Sequence, residues 1–83
     1  MGNHKIHNRL TQAVARKIRS RREALKFSQE EFADYITLDR ANYGAIERGE
    51  RNISITTLVR IAVGLKLEVG DLFPRLNEIT ELI

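Results

Sequence analysis

Apolar residues recur at intervals of three and four along most of the chain, and this spacing predicts amphipathic helices. The first apolar stripe consists of Leu10, Val14, Ile18 and Leu25, and shorter stripes follow between polar turns. No strand-like alternation of apolar and polar residues competes with these stripes, and no internal repeat or low-complexity linker divides the 83 residues. The pattern therefore predicts a single all-α domain.

Residues suited to cap helices separate the apolar stripes. Ser28 and Glu31 form a predicted capping box, with Phe27 and Phe32 at the staple positions around it. Asp39 provides the next cap. These signals predict helices over about residues 29–36 and 40–48, a fourth helix after Ser54 and a fifth that opens near Glu68.

The predicted helices over about residues 29–36 and 40–48 are joined by a tight turn. A helix-turn-helix of this size serves mainly to present its second helix to a groove of DNA. At about 100° per residue, Tyr43 and Ile46 share one side of that second helix. The other side carries small residues and two arginines, namely Arg40, Ala41, Gly44, Ala45 and Arg48. This face favours close approach to base pairs, although small residues also occur where helices pack together.

Individual side chains on this face indicate contacts with DNA. Arg40 is suited to bind guanine O6 and N7 with two hydrogen bonds, and an alanine methyl group is suited to contact a thymine methyl. Gly44 destabilises a helix interior by about 1 kcal/mol relative to Ala, so we expect a close neighbour there. Asn42, at the border of the face, is predicted to contact phosphate or an adenine edge.

A charged residue interrupts the first apolar stripe. Arg22 occupies a position that the helical spacing assigns to the core. A guanidinium buried without a carboxylate would strongly destabilise the fold, so a partner is required. Glu47, near the end of the second short helix, is the predicted partner, and the two residues are predicted to form a structural ion pair.

Charge is unevenly distributed along the chain, whose net charge is +3. Residues 1–29 contain eight basic residues and one acidic residue, for +7, whereas residues 67–83 contain one basic and four acidic residues, for −3. A basic front of this kind suits a polyanion such as double-stranded DNA. A solvated helix face is the simpler alternative, but the helix-turn-helix lies at the same end and favours DNA.

Other classes of function find little support in the sequence. The chain contains no cysteine, which excludes disulfides and thiolate metal sites and fits a cytoplasmic location. No apolar run approaches the ~20 residues that a membrane span needs. His4 and His7 have metal-ligand spacing but no third ligand nearby, so we expect no metal site and no cofactor. Nothing combines a nucleophile, a base and an oxyanion site, so we do not expect an enzyme.

The motifs of the chain, taken together, resemble those of the Cro/C1-type, xenobiotic-response-element-like helix-turn-helix family over roughly residues 12–73. The matching segments are Ser28-Gln-Glu-Glu-Phe-Ala, Tyr43-x-x-Ile46-Glu-Arg-Gly-Glu-Arg-Asn-Ile-Ser54, Leu58-x-x-Ile61-Ala and Asp71-Leu-Phe73. The resemblance implies a lambda repressor-like, five-helix DNA-binding domain. Within the family, the chain is similar to compact phage repressors and to the controller proteins of restriction-modification systems.

The resemblance also implies roles for individual residues. It implies base contacts by Arg40, Ala41, Asn42 and Ala45, to which the small face of the helix adds Gly44. It implies phosphate contacts by Gln29, Arg48, Arg51 and Asn52, and we assign Tyr43 to the same group. Family members carry a buried arginine and glutamate at the positions of Arg22 and Glu47, which agrees with the ion pair expected from the apolar stripe.

Three residues depart from the family pattern at turns. Lys26, Thr37 and Lys66 stand where glycine commonly ends the first helix, forms the turn of the helix-turn-helix and ends the fourth helix. Non-glycine residues adopt left-handed geometry at a cost of about 1 to 2 kcal/mol, so we expect the fold to survive. The turns themselves are expected to be looser or longer than usual.

The C-terminal residues 74–83 follow the predicted domain core, which spans about residues 8–73. Pro74 is expected to end or kink the fifth helix, after which a short helical tail restarts. So short a helix is seldom stable alone, and we expect it to pack against a second copy. The apolar stripe predicted to mediate dimerisation consists of Leu72, Leu76, Ile79 and Leu82. The alternative is a frayed tail that covers its own core.

These observations predict a sequence-specific regulator of transcription that acts as a homodimer. It is expected to bind an inverted-repeat operator in double-stranded DNA, with the helix over about residues 40–48 in the major groove. No association with a membrane is expected. The alternative, from a different class, is an antitoxin or co-regulator whose main role is to bind a protein partner.

Overall fold

The computed structural model describes residues 2–75, 77 and 78, and this part of the chain forms helices without any strand. The elements are α1 (Gly2–Ala24), α2 (Gln29–Tyr35), α3 (Arg40–Glu47), α4 (Ile55–Leu65) and a short 3₁₀ helix (Val69–Leu72). The all-helical prediction is confirmed. The five-helix architecture needs a correction, because the fifth predicted α-helix is a single 3₁₀ helix of four residues.

The short fifth element follows from the residues around it. Glu68 and Asp71 cap the 3₁₀ helix, and the backbone N–H of Glu68 donates to Asp71 Oδ2 at 3.0 Å. Phe73 then has an extended backbone (φ −97°, ψ 150°). Proline disfavours helical geometry in the residue before it, and Pro74 follows Phe73 directly. The chain therefore leaves helical geometry before an α-helix of useful length can form.

Helix α1 begins at Gly2, several residues before the expected core at about residue 8. Residues 3–24 contain neither glycine nor proline, so nothing in the local sequence interrupts the helix. None of the described helices is both long enough and apolar enough to cross a membrane.

All four α-helices end in the same hydrogen-bonded turn. A residue in left-handed conformation follows each helix, and its N–H and the next N–H return to carbonyls of the last helical turn, as in a Schellman motif. The left-handed residues are Lys26 (φ 68°), Thr37 (φ 58°), Gly49 (φ 72°) and Lys66 (φ 59°). The fold thus accepts three non-glycine residues in left-handed geometry, each at a cost of about 1 to 2 kcal/mol.

The core lies between α1, α2, α3 and α4 and is closed by the 3₁₀ helix. Its buried members are Val14, Ile18, Phe32, Ala33, Ile36, Tyr43, Ile46, Leu58, Ile61, Ala62, Leu65 and Leu72. Gly64 lets α4 approach α2 closely, because a Cβ at Gly64 would collide with Ile36 Cγ2 and lie 3.0 Å from Phe32 Cζ. This approach fixes α2, which in turn positions the turn and α3.

The core also corrects one assignment in the predicted dimerisation stripe. Leu72 has no exposed surface and belongs to the core of its own chain. Burial beneath the end of the 3₁₀ helix leaves no Leu72 surface for a second copy to contact. The other predicted dimerisation residues, Leu76, Ile79 and Leu82, lie outside the described residues.

Candidate nucleic-acid interface

The predicted caps hold α2 and α3 in place. Ser28 Oγ accepts a hydrogen bond from the Glu31 N–H at 3.0 Å, and Glu31 Oε1 accepts one from the Ser28 N–H at 2.8 Å. Hydrogen bonds to the Glu31 carboxylate from the Ser28 backbone and side chain lower the pKa of Glu31 below its ordinary value. Asp39 Oδ2 accepts from the Asn42 N–H at 2.8 Å. The capping box at Ser28 and the cap at Asp39 are therefore confirmed, and they fix the N-termini of both helices.

Arg22 and Glu47 meet in the interior, between α1 and the end of α3. Arg22 Nε donates to Glu47 Oε2 at 2.6 Å, and Arg22 Nη2 donates to Glu47 Oε1 at 3.0 Å. The Arg22 and Glu47 side chains are 8% and 1% exposed. Arg22 Nη1 also donates to the Phe27 carbonyl at 2.7 Å. The charged residue on the apolar stripe of α1 thus has the buried partner that its position requires.

Two further donors complete the environment of the Glu47 carboxylate. The Tyr43 hydroxyl donates to Glu47 Oε2, and Gln29 Nε2 donates to Glu47 Oε1 at 3.1 Å. Burial acts to raise the pKa of Glu47, but hydrogen bonds from Arg22, Tyr43 and Gln29 outweigh it and hold this pKa below its ordinary value. Burial, together with the bond to Glu47, raises the pKa of Tyr43. No buried side-chain nitrogen or oxygen among the described residues lacks a hydrogen-bond partner.

This network requires a correction to the predicted phosphate contacts. Tyr43 is completely buried, and its hydroxyl points to Glu47. Its position on the apolar side of α3 directs the ring into the core, where it packs 5.4 Å from the Phe32 ring, measured between centroids. Tyr43 therefore has no surface available for a phosphate. Gln29 is half-buried, and one of its amide hydrogens is donated to Glu47.

The exposed surface of α3 is smaller than the helical face predicted. Arg40 and Ala41 are exposed and Asn42 is half-buried, whereas Ala45 is 5% exposed. The turn after α3 folds back to Ala45, whose carbonyl accepts a hydrogen bond from the Glu50 N–H at 3.0 Å. Ala45 therefore offers little exposed surface for the base contact that was predicted for its methyl group. Helical angles place Ala45 beside Arg48 but take no account of the chain that follows the helix.

Gly44 is also buried, and its close neighbours belong to the chain itself. A Cβ at this position would lie 3.2 Å from Arg48 Nη1 and 3.4 Å from Gln29 Oε1. The absence of a side chain thus makes room for two polar side chains that cross the helix surface. This corrects the prediction that Gly44 contacts a base, because its close approach is used within the domain.

Most of the remaining predicted phosphate contacts lie at the surface. Arg48 is exposed and its Nε donates to Glu50 Oε2 at 3.0 Å. Arg51 and Asn52 are exposed in the connection between α3 and α4. Three exposed basic or polar side chains therefore follow the end of α3.

The structure also contains an ion pair that the sequence reasoning missed. Arg40 Nε donates to Asp34 Oδ1 at 3.1 Å, and Arg40 Nη2 donates to Asp34 Oδ2 at 2.7 Å. Glu30 Oε2 lies 3.7 Å from Arg40 Nη1. These hydrogen bonds lower the pKa of Asp34 and raise that of Arg40. The signal was available, because Glu30 and Asp34 are one helical turn apart on the polar side of α2, just before the turn to Arg40.

No group of three His, Cys, Asp or Glu side chains within the described ranges is arranged to hold a metal ion. The side chains of His4 and His7 lie outside the part of the chain whose side chains the structure describes. The exposed side chains of α3 and of the residues after it offer hydrogen bonding and positive charge. Arg40 stands at the start of α3, and the cations Arg48 and Arg51 follow its end.

Comparison with known proteins agrees with this geometry. Residues 18–72 match the family HTH_3, described as helix-turn-helix. Control protein C.MunI of a Mycoplasma species is 45% identical over 53 residues, which cover 64% of this chain and 72% of the relative. Control protein C.SmaI of Serratia marcescens is 35% identical over 66 residues, covering 80% and 79%. The crystal structure of the restriction-modification controller protein C.AhdI from Aeromonas hydrophila superposes with a TM-score of 0.73 at 35% identity, covering 76% of this chain and 96% of that one.

Proposed function

Because this chain belongs to the helix-turn-helix family HTH_3 and is a DNA-binding regulator of transcription, we propose that it acts as a homodimer on an inverted-repeat operator. Helix α3 enters the major groove, and Arg40 reads a guanine there. Relatives of this chain are described as control proteins and as a restriction-modification controller. We extend that role to this chain, with its operator upstream of restriction-modification genes and a cytoplasmic location.

The exposure of Arg40 at the start of α3 carries this proposal. Its side chain is 59% exposed, on a helix whose apolar side is fixed by the core and whose first turn is capped by Asp39. Ala41 and Asn42 lie beside it, with surface available to a groove. Arg48, Arg51 and Asn52 flank the other end of the helix, where they are suited to contact phosphates and set the register of the domain on the duplex.

A titration of paired variants tests the division between base and phosphate contacts. The probes are a duplex selected from a randomised pool by the wild-type protein and a scrambled duplex of the same length. Arg40→Ala should weaken binding to the selected duplex by about 5- to 100-fold and weaken binding to the scrambled one much less. Arg51→Ala should weaken both alike and lower the salt slope by about one per site. An equal loss on both duplexes for Arg40→Ala would remove its base-reading role.

Exposed apolar side chains support the homodimer. Ile55, Val59 and Val63 recur at intervals of four along α4 and are 81%, 43% and 70% exposed, and Tyr35 of α2 is 58% exposed. Water-exposed apolar groups at this spacing form a continuous stripe that favours burial by a partner. We propose a second copy as that partner. Two copies would place their recognition helices about 34 Å apart, which corresponds to half-sites about 10 base pairs apart centre to centre.

Sedimentation of the purified chain, alone and with the selected duplex, tests the dimer. A dimer at micromolar concentration is expected, and Val63→Glu should convert it to monomers without unfolding the domain. Exposed Ser20 provides the control, because Ser20→Glu adds the same charge on α1, outside the apolar stripe. A wild-type monomer both free and on DNA would refute the homodimer. A dimer without any preference among duplexes would favour the role in binding a protein partner.

A further inference from the structure

We infer that Asp34 is a positioning residue for Arg40, and that it holds one edge of the guanidinium so that the other edge faces the DNA. This inference rests on the base-reading role proposed for Arg40. It assigns a part in sequence specificity to a carboxylate of α2 that is not itself expected to contact a base.

The guanidinium group offers two edges with paired N–H donors. One edge comprises Nε and Nη2, and the other comprises Nη1 and Nη2. Asp34 engages the first edge, with distances of 3.1 Å from Nε to Oδ1 and 2.7 Å from Nη2 to Oδ2. One hydrogen of Nη1 and the second hydrogen of Nη2 lie on the other edge, where Asp34 makes no hydrogen bond. That edge has the geometry required for two hydrogen bonds to guanine O6 and N7.

The second carboxylate near Arg40 makes a different contact. Glu30 Oε2 lies 3.7 Å from Nη1, which is beyond hydrogen-bonding distance, and the Glu30 side chain is 72% exposed. Glu30 therefore contributes attraction at a distance but does not fix the guanidinium plane. Because both carboxylates lie on α2 and carry the same charge, Glu30 provides a matched control for Asp34.

The backbone beneath the pair is well fixed. The Asp34 carbonyl accepts a hydrogen bond from the Thr37 N–H at 3.1 Å, in the turn that ends α2. Asp39 caps α3 and fixes the position of the Arg40 backbone. The carboxylate and the guanidinium are thus attached to helices that pack together in one core, which lets Asp34 restrict the rotamers of Arg40.

Restricting Arg40 before binding removes part of the entropy that ordering its side chain would otherwise cost. Immobilising one flexible side chain at an interface lowers affinity by a factor of about 2 to 10. By ordering Arg40 in advance, Asp34 should avoid much of this loss of affinity on a duplex that offers guanine to Arg40. On a duplex without that guanine, Asp34 should make no such difference. Its effect should therefore appear in the affinity ratio, which is the affinity for the selected duplex divided by that for the scrambled duplex.

The same contacts admit an opposite effect, in which Asp34 competes with DNA for Arg40. The two effects differ in sign. Competition predicts that removing the carboxylate raises the affinity ratio, whereas positioning predicts that it lowers the ratio. Positioning is favoured because Asp34 bonds only to the edge formed by Nε and Nη2. The Nη1 hydrogen and the second Nη2 hydrogen that guanine requires are not those held by Asp34.

The experiment compares Asp34→Asn, Glu30→Gln, Arg40→Ala and the double variant Asp34→Asn/Arg40→Ala with the wild type. Each is titrated on the selected duplex and the scrambled duplex at several salt concentrations, and circular dichroism confirms folding. Removing either carboxylate should strengthen binding to both duplexes, because one negative charge near the phosphates is lost. The affinity ratio between the duplexes cancels this general effect.

Under the positioning role, Asp34→Asn lowers the affinity ratio by about 2- to 10-fold and Glu30→Gln leaves it unchanged. The double variant should then have the same ratio as Arg40→Ala alone, because Asp34 acts only through Arg40. If Asp34→Asn matches Glu30→Gln or raises the ratio while Arg40→Ala lowers it, the inference about Asp34 is overturned and the base-reading role stands. If Arg40→Ala leaves the ratio unchanged, the base-reading role itself fails.

Discussion

Two arginine–carboxylate pairs in this domain share their chemistry and differ in their surroundings. In both pairs Nε and Nη2 of an arginine donate to the two oxygens of one carboxylate. The Arg22 and Glu47 side chains are 8% and 1% exposed, whereas those of Arg40 and Asp34 are 59% and 56% exposed. Burial, rather than hydrogen-bond geometry, separates a pair that holds the fold from a pair that is available to a ligand.

The energetic reason lies in what happens when one partner is removed. In the interior, the remaining charge has no water to solvate it, so the loss is large even where the intact pair contributes little net stability. At the surface, water replaces the missing partner and the fold is hardly affected. The exposed pair can therefore exchange or adjust its contacts without endangering the domain, as the proposed role of Arg40 on DNA requires.

The largest expected effect comes from breaking the buried pair. Glu47→Ala leaves Arg22 buried without a carboxylate and should lower the free energy of unfolding by about 3 to 5 kcal/mol. Urea denaturation followed by circular dichroism measures this loss. Glu50→Ala is the control, because it removes a carboxylate from an exposed pair with Arg48 and should lower stability by under about 1 kcal/mol. A loss of that smaller size for Glu47→Ala would contradict the structural role of the pair.

The pH dependence of stability gives the same pair a second signature. In the folded chain the pKa of Glu47 is below its ordinary value of 4.5. The stability that ionised Glu47 contributes is therefore fully present above pH 4.5 and is lost as the pH falls through the folded pKa. Lowered pKa values at Glu31 and Asp34 add to acid sensitivity. Urea denaturation at a series of pH values should therefore show that the free energy of unfolding falls less steeply below pH 4.5 in Glu47→Gln than in the wild type, although it still falls.

A smaller loss is expected when the pair stays intact and only its support is removed. Tyr43→Phe keeps the ring in the core but deletes the hydroxyl that donates to Glu47. A hydrogen bond to a charged group contributes about 1.5 to 3 kcal/mol, and we expect a loss of that size in urea denaturation. Tyr35→Phe is the matched control, because Tyr35 is 58% exposed. Equal behaviour of the two variants would contradict the role of Tyr43 in the buried network.

The sequence predicted the buried pair because burial leaves a trace in the pattern of residues. A charge within an apolar stripe has few solutions, and Glu47 was the suitable carboxylate at the end of a neighbouring helix. The helix caps were equally predictable, because Ser28 and Asp39 each accept a hydrogen bond from an N–H group only three residues later. Such local and strongly constrained features can be derived without knowledge of tertiary structure.

The exposed pair and the true extent of the α3 surface were not predicted, for a related reason. A helical wheel places Ala45 and Gly44 on the small face, but both are buried in the folded domain, and the side chains of Arg48 and Gln29 cross the surface at Gly44. Surface charges have many acceptable partners, so the sequence alone did not single out Asp34 for Arg40. The fifth helix was overestimated because the staple pattern shows where a helix starts, whereas Pro74 limits its length.

The turn between the two members of the exposed pair offers a gain in stability. Thr37 is β-branched and has φ 58°, a conformation that glycine adopts without strain. Thr37→Gly removes this strain but increases the freedom of the unfolded chain, for a net gain of about 0.5 to 1 kcal/mol in thermal or urea unfolding. Thr37→Ala is the control and should not gain, because it keeps a Cβ. A loss of stability in Thr37→Gly would mean that the threonine side chain stabilises the turn.

The smallest effect on stability is expected from the exposed pair itself. Arg40→Ala and Asp34→Asn each leave a partner that water can solvate, because both side chains are more than half exposed. We therefore expect both variants to unfold at the wild-type urea midpoint within experimental error, even where Arg40→Ala loses preference for the selected duplex. Tyr43→Phe should show the opposite combination. It should lose stability but keep its preference for the selected duplex under conditions where it remains folded. A clear shift of the midpoint in Asp34→Asn would place the exposed pair among the structural contacts. It would remove the separation between a pair that holds the fold and a pair that we propose to act in reading DNA.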